Sequence, residues 1–405
     1  MAIEAKAKAM RAKGVDILSF SVGEPDFDTP AHIKKAADEA IAAGFTKYTP
    51  ASGMPELKAA VARAVKQSCG VDYGTNQVVV SCGAKHVIAS AIYTLIGEGD
   101  EVLIPAPYWV SYPVMARLAG GVPRIVYPDG ENMIWESGPA HLPPAGAGFK
   151  LSPKALKAGL NSKTRVVILN YPSNPSGAVY SASELKELAA VLAGHGAVVV
   201  SDEIYGALVY DEPFSPLAKV APELLDRLII VNGVSKTYSM TGWRIGWAVG
   251  PADVIGAIGN LQSQTTSNPA SISQHAALAA LEGPQDCVEE MRREFAKRRD
   301  IIVAGFRKFP GVSCDSPGGA FYIFPDFRAL LSKSSVAGAL GLKDGFAGAS
   351  SRLCAYFLDS AKVAAVPGVE FGYECHVRFS FAASEENIIK ALARIGDALG
   401  NLVKG

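Results

Sequence analysis

RLIIVNGVSKTYSMTGWRIGW spans residues 227–247, and its two halves differ in character. Residues 228–231 form an unbroken apolar run, Leu-Ile-Ile-Val. A strand with one face in water alternates apolar and polar side chains. A strand that is apolar at every position is covered on both faces, as in a parallel sheet flanked by helices. The second half turns polar at once, through Gly233, Ser235 and Lys236 to Arg244. Open parallel sheets bind ligands just beyond the carboxyl ends of their strands. The stretch therefore reads as a buried strand running into a ligand-binding turn.

The same pattern recurs upstream. QVVVS (77–81), EVLIP (101–105), RVVIL (165–169) and AVVVS (197–201) are apolar runs of strand length. Helical patterns separate them. Pro55 opens PELKAAVARAVKQSCG and Gly70 closes it, the usual proline-start, glycine-stop asymmetry. A second helical stretch runs from Ala84 to Leu95. This alternation predicts an α/β fold with a mostly parallel sheet. Beyond Pro284 a long amphipathic run ends at Pro310, and the pattern changes. GGAFYIFP, KVAAVPG and HVRFSFA look like strands of a second sheet, followed by a helix from Ser384 to about Val403. We expect an N-terminal segment (1–32) that joins the small domain, a large domain (33–300) and a small C-terminal domain (301–405). Residues 128–150, rich in Pro, Gly and Ala, read as a long surface loop.

Composition removes several function classes. Lys plus Arg number 39 and Asp plus Glu number 39, so no net charge favours nucleic acid or an anionic membrane. An anionic ligand must be held by a local cluster. No apolar run approaches the ~20 residues of a membrane span. The N-terminal stretch lacks an apolar core and carries Glu4 and Asp16, so neither a signal nor a transit peptide is expected. Cys69, Cys82, Cys287, Cys314, Cys354 and Cys375 form no CxxC pair and no zinc spacing, and the six histidines are scattered. Reduced thiols in the cytoplasm and no metal site are the expectation.

The strand ends carry the chemistry. After AVVVS come Asp202, Glu203 and Tyr205; after RLIIVN come Gly233, Ser235 and Lys236, with Arg244 further on. After RVVIL come Asn170 and the SNPSG turn with Asn174; after QVVVS, Gly83, Ala84 and Lys85 open a helix; after EVLIP come Tyr108 and Trp109. Singly, an Asp after a strand is usually a turn residue and a Lys is usually solvated. Jointly, five strand ends deliver polar or aromatic groups to one edge. That set suits pyridoxal 5′-phosphate (PLP), which needs a lysine for its Schiff base and an acid for its pyridinium nitrogen. Lys236 and Asp202 can fill those roles. Gly83, Ala84 and Lys85 can offer amides to the phosphate, with the Ser235 hydroxyl and the Arg244 charge. Trp109 can stack on the ring, and Asn174 and Tyr205 can bond its phenolic oxygen. No GxGxxG or Walker loop stands at any strand end, which argues against a nucleotide-binding protein.

The motifs SVGEPDFDTP, TKYTPASGMPELKAAV, PAPYWVSYP, NYPSNPSGAVY, SDEIY, VNGVSKTYSMTGWRIGWAVGP, PGGAFYIF and HVRFSFA resemble the fold-type-I aminotransferases. They are most similar to the bacterial and plant subgroup of aspartate and prephenate aminotransferases. The resemblance covers about Ile3 to Val403 and implies a seven-stranded, mostly parallel large-domain sheet with a smaller α+β domain. It implies that Lys236 binds the cofactor and moves the proton, that Asp202 pairs with the ring nitrogen, and that Tyr205 completes the catalytic set. It further implies that Arg378 binds the substrate α-carboxylate, helped by Asn174, Trp109 and the backbone at Gly23. Tyr48 would reach the phosphate of a neighbouring subunit, which implies a homodimer with shared active sites. Lys85, in the subgroup's GxK position, would take a second substrate carboxylate. The expected activity is transfer of amino groups between aspartate or glutamate and 2-oxo acids, with prephenate as the alternative acceptor and a PLP lyase as a remoter option. His86 stands where the subgroup usually has Gln, Ser176 stands for the common Thr, and the 128–150 loop is longer than usual.

Overall fold

A computed structural model describes residues 2–135, 142, 144, 146, 148–342 and 345–404. The apolar runs become strands of one sheet. Its strands are β1 (Val78–Ser81), β2 (Glu101–Pro105), β3 (Val122–Val126), β4 (Asn132–Ile134), β5 (Thr164–Asn170), β6 (Val198–Asp202), β7 (Leu228–Gly233) and β8 (Gly246–Val249). The spatial order is β1-β8-β7-β6-β5-β2-β3-β4. β3, β2, β5, β6 and β7 run parallel to their neighbours. β8 is antiparallel to both β7 and β1, so β1 points the same way as the parallel set.

Successive residues of these strands enter opposite cores, both apolar. Val80, Val167, Val199 and Ile230 face one layer with Leu57 and Val61 of the helix Pro55–Cys69. Val79, Val166, Val200 and Val231 face the other with Ile88 of the helix Ala84–Leu95. Two-sided burial is what the unbroken apolar runs encode. Each fully buried Val or Ile contributes about 1.5–3 kcal/mol relative to exposure. Gly70 ends its helix in the left-handed conformation, φ 78°.

The expected class holds, with one strand more than seven. β4 lies inside the stretch read as a surface loop and pairs antiparallel with β3. Its propensity is weak, and tertiary contacts form it: Arg124 is bidentate to Glu101 (2.5 and 2.8 Å) and donates a third bond to Asn132 Oδ1 at 2.9 Å. Much of 136–147 lies outside the described residues.

A third core holds the C-terminal region. The helix Asp286–Phe306 runs through position 300 and buries Phe295, Ile302 and Phe306 against Phe321, Phe327 and Phe379. A three-stranded antiparallel sheet orders Tyr322–Ile323, Val377–Ser380 and Val366–Pro367. The N-terminal segment returns here: Leu18–Ser19 pairs with Val363–Ala364. Tyr205, at the edge of the large sheet, packs in this same core. Among the described residues no helix is long and apolar enough to cross a membrane.

Candidate active site

The carboxyl ends of β1, β2, β5, β6 and β7 meet along one edge, at the seam with the C-terminal core. A cavity of about 460 Å³ opens there. That volume lies within the range of small-molecule sites.

Asp202, the last residue of β6, is fully buried on the cavity wall. Tyr112 donates to its Oδ2 at 2.5 Å and the Ile204 amide reaches its Oδ1 at 3.3 Å. Burial pushes the carboxyl up to about 6, while those two bonds and the Lys236 charge pull it back. Lys236 follows β7 on a short helical turn, Val234–Thr237. Its Nζ donates to the Gly23 carbonyl at 2.7 Å. Burial lowers the amine to about 8; the Glu24 charge opposes the shift, and Arg244, Arg378 and Lys85 add to it.

Gly83 and Arg244 form a cradle. Gly83 has φ +93°, and a Cβ there would lie 2.6 Å from Arg244 Nη2. Arg244 is itself left-handed (φ 58°) and donates to the carbonyls of Thr241 (3.0 Å) and Cys82 (3.3 Å). Gly246 packs so closely that a Cβ would overlap the Ala84 amide nitrogen. The helix Ala84–Leu95 starts at this point, where its first amides have no intrahelical acceptor. Ser235 is buried on the adjoining wall.

Arg378, on the strand Val377–Ser380, faces Asp202 and Lys236 across the cavity. Nη1 donates to Asn174 Oδ1 at 2.9 Å and Nη2 to the Ser21 carbonyl at 2.6 Å, while Nε is buried with no partner among the described residues. Its guanidinium lies over Tyr322 (4.6 Å) and Phe371 (5.1 Å). At the mouth, Lys85 Nζ sits 4.8 Å from the Trp109 ring centroid. Burial by its surroundings and the Arg244 charge lower the Lys85 amine. Trp109 meets Tyr112 edge-on at 5.3 Å.

The comparisons with known proteins follow the same line. The family described as aminotransferase class I and II matches residues 15–395. The chain belongs to this family. The aminotransferase is 44% identical to the aspartate aminotransferase of Geobacillus stearothermophilus, over 98% of this chain and 94% of that one. It is also 44% identical to the aspartate/prephenate aminotransferase of Cereibacter sphaeroides, with the same coverage. Among solved structures, the aspartate aminotransferase from Rhizobium meliloti superposes with a TM-score of 0.90 at 40% identity, covering 98% of this chain and 95% of that chain. The Thermus thermophilus aspartate aminotransferase with maleate gives 0.86 at 37% identity, covering 98% and 95%.

Of the residues expected at the aminotransferase site, all but Gly83 and Tyr48 line the cavity, and Gly83 is held against one that does. Tyr48 stands apart, 91% exposed. Three polar residues of the lining were given no role by the sequence. Tyr112 sits three residues after Trp109, one helical turn on, and that spacing could have found it. Asn170 donates to the Asp202 carbonyl (3.1 Å) and accepts from the Asn174 amide (3.0 Å). Tyr322 bonds Tyr205, oxygen to oxygen, at 2.8 Å. Tyr322 comes from a sheet of the other core, and no local signal announces it.

Proposed function

We propose that this aminotransferase uses PLP to move amino groups between aspartate or glutamate and 2-oxo acids. The observation that carries the proposal is one cavity offering an amine, Lys236, and a buried guanidinium with an unpartnered Nε, Arg378. An orphaned buried donor costs about 1–3 kcal/mol, and a bound carboxylate removes that cost.

The residues fit the cofactor. PLP, when bound, supplies an electron sink for negative charge at the substrate α-carbon. Asp202, buried and already fixed by Tyr112 and Ile204, holds the proton on the ring nitrogen. The Ala84 and Lys85 amides, Ser235 and Arg244 hold the phosphate, and the space that Gly83 leaves free lets Arg244 approach. Trp109 covers the ring. Tyr205, with Asn174, bonds the phenolic oxygen. Lys236 would hold the cofactor through its Nζ and, once the incoming amino group takes its place, its freed amine would carry the proton to and from the α-carbon. Its desolvation keeps a usable neutral fraction near pH 7.

Arg378 binds the α-carboxylate common to every donor, beside Asn174 and the Gly23 backbone. Lys85 at the mouth takes a second carboxylate, which gives the dicarboxylic preference. Maleate, present in the Thermus thermophilus relative, is likewise a dicarboxylate. Prephenate also carries two carboxylates, and the Cereibacter sphaeroides relative is named for it, so it is the second acceptor we propose.

We further propose a homodimer with shared sites, in which Tyr48 reaches the partner's phosphate. Ile41, Phe45 and Tyr48 expose apolar surface along one short stretch. We divide the chain into 1–32, 33–300 and 301–405, with the helix Asp286–Phe306 joining the two domains. The six free cysteines suit the cytoplasm.

The test is an acceptor panel of oxaloacetate, 2-oxoglutarate, prephenate and phenylpyruvate with aspartate and glutamate as donors. We expect turnover with the dicarboxylic acceptors and its loss in Lys236→Ala. A Lys236→Ala protein that turns over at the wild-type rate refutes the assignment.

A further inference from the structure

Tyr322 touches three groups that the proposed chemistry uses. Its hydroxyl is 2.8 Å from that of Tyr205. Its ring lies under the Arg378 guanidinium at 4.6 Å. The Gly23 backbone presses on its hydroxyl so closely that a Cβ there would overlap it. Both tyrosines are fully buried, and their rings meet edge-on at 5.8 Å. Tyr205 faces Asp202, Arg378 and Tyr322.

A phenol has one proton to donate. If Tyr205 donated to Tyr322, it would have none for the cofactor. Burial raises both phenols and the Arg378 charge opposes that rise at each, but it is the Tyr322 ring that lies directly under the guanidinium, at 4.6 Å, which makes Tyr322 the better donor. We infer that Tyr322 is a positioning residue, donating to Tyr205 and thereby turning the Tyr205 proton toward the phenolic oxygen of the cofactor. This rests on the PLP assignment above. The bond also polarises Tyr205, since chained hydrogen bonds strengthen one another. The same ring supports the carboxylate-binding Arg378, so one side chain links the substrate's anchor to the cofactor's electronics.

The test uses the PLP-loaded enzyme and the pH midpoint of its visible absorbance band. In Tyr322→Phe the midpoint should rise by about 0.5–1 unit, as one lost hydrogen bond predicts. The ring stays over Arg378, so KM for aspartate should change less than about twofold, the ring contribution being untouched. Tyr205→Phe should raise the midpoint further, and adding Tyr322→Phe to it should change nothing more. Tyr322→Leu, a second route to the same hydroxyl deletion, should give the midpoint shift together with a raised KM. An unmoved midpoint in both Tyr322 variants overturns the inference. So does an equal shift in the Tyr205→Phe background. A wild-type protein that shows no such band with PLP refutes the cofactor assignment itself, a different failure.

Discussion

In the cofactor-free protein the Lys236 amine has a pKa of about 8, and this can be measured directly. The perturbation is pH, and the probe is a small aldehyde trapped on amines by reduction. At pH 7 a group of pKa 8 is neutral in about one molecule of eleven, while one at 10.5 is neutral in about one of three thousand. Lys236 should therefore label about 300-fold faster than an ordinary lysine, with a half-maximal rate near pH 8. Mass spectrometry of the digested protein resolves it from Lys85 and Lys58, which are lowered as well. Stability must follow. The base is depressed in the folded state, so below pH 8 the fold carries the full cost of a desolvated charge, about 3 kcal/mol. That cost fades as pH rises from 8 to 10.5, and the cofactor-free protein should gain stability across that window. A Lys236 labelling midpoint above about 9.5 would refute the claim that burial tunes this amine.

Three further outcomes are expected. Tyr112→Phe removes a charge-assisted bond of about 1.5–3 kcal/mol, so Asp202 should rise by about 1–2 units from its value of about 6, and PLP affinity at pH 7 should fall by about 10-fold or more in a spectroscopic titration. Lys85→Ala should lower kcat/KM for aspartate by about 10–100-fold while leaving alanine within about threefold; equal losses for both donors would count against a second carboxylate site. Gly83→Ala strains a φ of +93° and drives a methyl against Arg244, so both thermal stability and cofactor retention should drop, by about 1–3 kcal/mol of strain and more from the displaced cation.

The large sheet and most of the cavity lining were legible in the sequence for one physical reason: both are local. An unbroken run such as 228–231 states that both faces are buried, and a parallel sheet then puts the residue after each run at a common edge. Asp202, Asn174, Ser235 and Lys236 follow from that rule. Glu203 shows where it stops. It is as buried as Asp202, but it accepts from Ser201 (2.8 Å) on the far side, and burial holds its carboxyl up at about 7. Adjacent acids on a strand end face opposite ways, and nothing in the string SDEIY says which faces the cavity. Arg378 was identifiable only through family resemblance, because a guanidinium on a C-terminal strand is ordinarily a surface ion pair. Tyr322 and β4 escaped for the converse reason. Each is fixed by a partner more than a hundred residues away or by a side chain outside its own segment, and composition carries no trace of that.

β4 has a consequence beyond its three residues. Without it, β3 would present the outer backbone edge of Arg124–Val126 to solvent, in a stretch carrying Val122, Ile125 and Val126. At the opposite margin, the β1 amide at Val80 donates to the Ser52 carbonyl at 2.9 Å, and Gly53 folds back against the same valine. Both margins of the seven apolar strands β1–β3 and β5–β8 are thus covered by short segments from outside the strand–helix repeat. Unsealed margins recruit strands from other molecules. Shortening 128–150, or stiffening the turn at Ser52–Gly53, should leave the residues of the cavity in place and raise aggregation, read by light scattering.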